Sequence, residues 1–81
     1  MSSAGVRFKK FDVRPLLAKG KEPLSEIRKR VDDLAPNEGL TLVAPFLPSP
    51  LIEKLSGEGF FSRVEHQPDG GWVVHFWRDE T

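Results

Sequence analysis

The chain has 81 residues, no cysteine, equal numbers of basic and acidic side chains, and 38% hydrophobic residues including two Trp and six Phe. This length makes one domain, and the spread of Leu, Ile, Val and Phe supports a packed core rather than a disordered tail. Without cysteine there are no disulfides, no thiolate metal sites and no thiol chemistry on this chain, and no apolar run approaches the roughly 20 residues that span a bilayer.

The charge is unevenly placed. Residues 1–30 carry nine basic and three acidic side chains, and residues 31–81 carry three basic and nine acidic. Such a split either marks a half that faces a polyanion or mixes once the halves interleave in the fold. Met1–Gly5 has no hydrophobic signal core, so a cytoplasmic protein is expected.

Residues 1–6 read as a flexible N-terminus and residues 7–79 as one domain. Arg7 to Arg14 reads as strand one, with Phe11 and Val13 on one side and Lys10, Asp12 and Arg14 on the other. Val6 and Phe8 have the wrong parity, so either the strand begins near Lys9 or a bulge intervenes. Pro15 ends the strand and Leu16 to Lys21 form a loop. Pro23 suits a first helical turn, with Glu22 and Glu26 complementing the helix dipole. Leu24, Ile27, Val31 and Leu34 form one apolar stripe, with Arg28, Lys29 and Arg30 largely off it as a solvated face. Ala35–Gly39 breaks the helix.

Leu40 to Ala44, almost wholly apolar or β-branched, reads as a central strand. After the stiff loop Pro45-Phe46-Leu47-Pro48, Ser49 is placed as N-cap, Pro50 as first helical residue and Glu53 as a capping-box partner. Leu51, Ile52 and Leu55 supply the buried face, and Gly57 and Gly59 offer left-handed stops. Phe60 to Gln67 and Trp72 to Arg78 read as a hairpin. An odd-numbered loop centred on Asp69 pairs Val64 with Val74, Ser62 with Phe76 and His66 with Trp72. That register collects Phe60, Val64, Trp72, Val74 and Phe76 on one face.

The expected fold is α+β: a two-layer sandwich in the order β-α-β-α-β-β, with two helices on one face of a four-stranded mixed sheet. Phe11-Asp12-Val13-Arg14 followed by Glu22-Pro23 and a helix resembles the strand-to-helix signature of TusA/SirA-like domains. The motifs Asp-Val-Arg-Pro-Leu-Leu-Ala, Leu-Val-Ala-Pro-Phe, Gly-Phe and a final Trp-x-Val-x-Phe are more similar still to an uncharacterised, cysteine-lacking bacterial branch, domain of unknown function 2249. The resemblance covers about residues 8–78 and implies the TusA-like fold. TusA-like proteins carry sulfur as a persulfide on a Cys-Pro-x-Pro cysteine. Here Glu22-Pro23 matches the end of that motif, Lys21 stands at its first proline and Gly20 near its cysteine, so sulfur transfer does not carry over.

Two surfaces are candidates. At the edge where both strand-to-helix loops meet, Arg14, Lys19, Gly20, Lys21 and Ser49 would receive a small anion. On the sheet face opposite the helices, Phe61, Arg63, Glu65, Val73, His75 and Trp77 would form an exposed patch for a protein partner or a homodimer. His66 and His75 fall on opposite faces, and no metal site, cofactor or catalytic grouping is expected. The reading is a small non-enzymatic binding or regulatory domain. The alternatives are a cysteine-less accessory partner in sulfur or redox metabolism and weak RNA binding, although nucleic acid is not the expected partner, because no aromatic platform interleaves the Arg28-Lys29-Arg30 run.

Overall fold

A computed structural model describes residues 6–78. Of the expected flexible segment 1–6, residues 1–5 lie outside the described residues, as does residue 79 at the far boundary of the expected domain. Seven elements follow in order: β1 (Arg7–Asp12), α1 (Arg14–Ala18), α2 (Leu24–Asp32), β2 (Glu38–Ala44), α3 (Ser49–Ser56), β3 (Phe60–His66) and β4 (Trp72–Arg78). The strands form one mixed sheet in the order β1-β2-β4-β3. β1 runs parallel to β2, and the other two pairings are antiparallel.

The core lies between the helices and one sheet face. Phe11, Val13, Leu40, Leu42, Ala44, Phe60, Val74 and Phe76 meet Ile27, Val31, Leu34, Leu51 and Leu55 there. The expected two-layer α+β arrangement is therefore present, with β2 central and paired on both sides.

One additional helix appears. The segment expected as a loop after Pro15 opens with α1, which has Pro15 in its first turn and packs Leu16 and Leu17 against the core. The same proline logic that starts α2 and α3 applies here. The helix stops in a Schellman motif: Lys21 N–H donates to the Leu16 carbonyl at 2.9 Å and Gly20 N–H to that of Leu17 at 3.0 Å. Gly20, at φ 73°, supplies the left-handed residue this stop requires.

Other boundaries move by a residue or so. Pro23 caps α2 rather than opening it, and the Glu22 carboxylate accepts the Ser25 N–H at 3.1 Å. Leu24, expected on the buried stripe, is 55% exposed, because only Ile27, Val31 and Leu34 reach the sheet. Ser49 is the first residue of α3, not its cap, and no side chain caps that helix. The entry is set by an inverse γ-turn: Ser49 N–H donates to the Leu47 carbonyl at 2.9 Å across Pro48 at φ −83°, ψ 64°. At the other end Gly59 is left-handed, whereas Gly57 is an ordinary helical residue.

β1 shows neither of the two expected solutions. Its ladder to β2 runs unbroken from Arg7↔Glu38 to Asp12↔Val43, with no bulge, so Phe8 lies on the face away from the helices. The hairpin has the expected register, with Val64↔Val74, Ser62↔Phe76 and His66↔Trp72. Gln67 N–H donates to the Gly71 carbonyl at 2.8 Å and closes a three-residue loop centred on Asp69. Gly70 takes φ 90°, the left-handed position such loops need. Of the apolar face this register creates, Phe60, Val74 and Phe76 are buried, but Val64 is 41% exposed. It sits on the edge strand, beyond the cover of the helices.

Candidate binding surfaces

Strand order and register together write three rows across the uncovered face of the sheet. The first row is Phe8, Gly39, Trp77 and Phe61; the second Lys10, Thr41, His75 and Arg63; the third Asp12, Val43, Val73 and Glu65. Of the six residues expected on the open face, Phe61, Arg63, His75 and Trp77 fall in the first two rows, and Val73 and Glu65 fall in the third.

The first row is an aromatic ladder. The Phe8 and Trp77 rings meet edge to face at 6.1 Å, and Phe61 meets Trp77 at 5.9 Å. Phe8 leans inward because Gly39 has no side chain. A Cβ on Gly39 would lie 2.6 Å from a Phe8 ring carbon and 2.5 Å from the Phe76 carbonyl oxygen. Phe8 also contacts His75, with ring centroids 5.4 Å apart. Even so, Phe8 and Phe61 remain 44% and 49% exposed. The parity of Phe8 could have placed it here, had the strand been read as two-sided from its start.

The second row is polar and held in place. His75 Nδ1 and Thr41 Oγ1 share a hydrogen bond of 2.9 Å. The other ring nitrogen lies 3.5 Å from Glu65, which also faces Arg63 at 3.9 Å. With Val6, Phe8 and Trp77, the side chains of Arg63, Glu65 and His75 line a shallow groove of about 400 Å³. Its aromatic floor and mixed-charge wall suit a partner surface carrying both apolar and charged groups.

The loop edge has a different character. Arg14 is turned back on Asp12, donating from Nε at 2.9 Å and Nη2 at 2.7 Å, while its own N–H reaches the same carboxylate at 3.0 Å. The guanidinium holds the Asp12 carboxyl below the usual carboxylate range, and Asp12 in turn raises Arg14. Lys19, Gly20 and Lys21 are exposed around the stop of α1, and Ser49 is exposed at the start of α3.

None of these five residues lines the main cleft at this edge. That cleft, of about 290 Å³, lies between the starts of α2 and α3 and is walled by apolar groups, among them Val13, Leu17, Leu42, Phe46, Pro48 and Leu51. Leu24, Phe46 and Leu47 stand exposed in the same region. It has about twice the volume of an apolar cavity that holds benzene, and its single ionisable wall residue, Glu22, is engaged as a helix cap. The sequence signal for it was Phe46-Leu47, an apolar pair on a loop stiffened by Pro45 and Pro48.

The remaining motifs are structural. His66 stacks on Trp72 at 4.1 Å on the helix side, so the two histidines do lie on opposite faces. Among the described residues no group of three or more His, Cys, Asp or Glu could hold a metal, and no helix is long and apolar enough to cross a membrane. Of the Arg28-Lys29-Arg30 run, Arg28 donates to Glu58 at 2.8 Å, and Arg30 lies 3.9 Å over the Phe11 ring.

A family model described as an uncharacterized conserved protein, DUF2249, matches residues 10–78. No curated protein and no solved structure matches the chain.

Proposed function

The chain belongs to the uncharacterised conserved family DUF2249, and from that premise we propose that it is a small non-enzymatic binding domain that docks a protein partner on its uncovered sheet face. The observation that supports this most directly is the Phe8, Trp77 and Phe61 row. The Trp77 ring meets Phe8 on one side and Phe61 on the other, in a row that spans four strands, while the two Phe rings stay about half exposed. Aromatic side chains on a rigid sheet dock at low entropic cost and are the usual anchors of protein interfaces. The adjoining Arg63, Glu65 and His75 give the patch a polar border that would set orientation.

The test is capture of partners on immobilised protein, with Trp77→Ala and Phe61→Ala beside the wild type. Circular dichroism is recorded for each to show that the fold is kept. The expected result is a partner that binds the wild type and is lost from both variants, with an affinity loss of about tenfold or more for Trp77→Ala. Equal retention on all three proteins, or preferential capture of RNA that salt removes steeply, would refute the reading.

A further inference from the structure

We infer that two copies of this chain pair edge to edge through β3, antiparallel about a two-fold axis at Val64, extending the sheet to eight strands. This pairing shares Arg63 and Glu65 with the proposed docking face but joins the sheet rims through backbone hydrogen bonds, so it is read from the oligomeric state and not from partner capture.

β3 is the last strand of the sheet, and among the described residues nothing pairs with its outer side. Its seven residues contain no proline, and its ladder to β4 has no bulge, so of the devices that blunt such edges only the charges of Arg63 and Glu65 are present. The phase of its hydrogen bonds follows from the hairpin. Gln67 N–H donates to the Gly71 carbonyl, toward β4. Backbone groups alternate in direction along a strand, so Ser62, Val64 and His66 turn theirs outward.

Charge then selects the register. Residues opposite each other in an antiparallel pair share a face, so a two-fold must centre on a residue. Centring on Arg63 sets guanidinium against guanidinium, and centring on Glu65 sets carboxylate against carboxylate. Centring on Val64 places Arg63 of each copy opposite Glu65 of the other, in the non-hydrogen-bonded pairs where side chains come closest. Both side chains are available, at 74% and 44% exposed, and their own contact within the chain is a long 3.9 Å. The same centring matches the outward phase: Val64 bonds to Val64, and Ser62 to His66 in both directions. It also covers the exposed Val64 side chain with its own copy. The interface is small, so association in the micromolar range or weaker is expected.

Sedimentation equilibrium of the full chain over a concentration series up to about 1 mM tests this. The wild type should dimerise, Arg63→Glu should weaken the dimer at least tenfold, and the double exchange Arg63→Glu/Glu65→Arg should restore it. The absence of cysteine gives a second readout. Val64→Cys should cross-link to a disulfide dimer under oxidation, its Cα atoms lying within bridging range, while Ser62→Cys, placed opposite His66, should not. A wild type that stays monomeric to about 1 mM overturns the inference. So does a dimer insensitive to Arg63→Glu, or one that cross-links equally through both cysteines.

Discussion

Gly39→Ala is the sharpest probe of how this sheet is built. Gly39 has an ordinary backbone conformation, since the left-handed glycines are Gly20, Gly59 and Gly70. A methyl group therefore adds no torsional strain, and in a strand it would normally gain roughly 0.5–1 kcal/mol over glycine. Here it meets the Phe76 carbonyl oxygen at 2.5 Å and two Phe8 ring carbons at 2.6 and 2.8 Å. The Phe8 ring can swing outward, because it is 44% exposed on an edge strand. The Phe76 carbonyl belongs to the strand whose side chain is fully buried at the centre of the core, and it moves only if β2 and β4 separate. Overpacking costs about 1–3 kcal/mol; a contact with a backbone carbonyl that cannot yield lies in the upper part of that range, about 2–3 kcal/mol, so after the strand gain the net loss is about 1–2.5 kcal/mol. For a domain of this size that lowers the melting temperature by about 5–15 °C. Urea and thermal unfolding followed by Trp fluorescence would measure it, with a change in the folded-state Trp77 emission as Phe8 leaves its ring. Adding Phe8→Ala should recover only part of the loss, because the carbonyl contact remains. A Gly39→Ala protein as stable as its parent, or more so, would refute the argument.

Two further outcomes follow from the core and the loop edge. Phe76→Ala should destabilise the domain by about 3–5 kcal/mol, a large part of the 5–15 kcal/mol typical of a whole domain, while Val64→Ala on the same sheet side should be near neutral in the monomer; denaturant midpoints compare them. Asp12→Asn should lower stability at neutral pH by a small amount, because the Arg14 pair is exposed and screened. Asp12 has a folded-state pKa held below its unfolded value, so its contribution is present above about pH 4 and is lost as pH falls through the folded value. The gap between Asp12→Asn and wild type should therefore close on acidification, and a gap constant from pH 7 to pH 2 would contradict the pairing.

Local chemistry made much of this fold legible. The prolines at 23 and 50 announced two helices, and Pro15 and Gly20 carried the same signals for α1, although that segment reads as a loop when Pro15 is taken only as the end of a strand. The hairpin register could be derived outright, because a period of two leaves only odd or even loops, and only the odd one gathers Phe60, Val74 and Phe76 together. Contacts between distant segments were beyond such reasoning. Phe8 finds its place only because β1 lies beside Gly39 and, one strand further, Trp77. Leu24 and Val64 satisfy an apolar pattern, yet they stand past the reach of the layer that would cover them. The cleft between α2 and α3 exists because two loops distant in sequence end at one side of the sheet.

Periodicity and turn chemistry act over a few residues, so the chain alone determined its elements, their inward sides and the pairing of its last two strands. Strand order is a long-range choice, made by which segments bury the most apolar surface together. Only the packed molecule decided that β3 would be left at the rim and that Phe8, Trp77 and Phe61 would stand in one row.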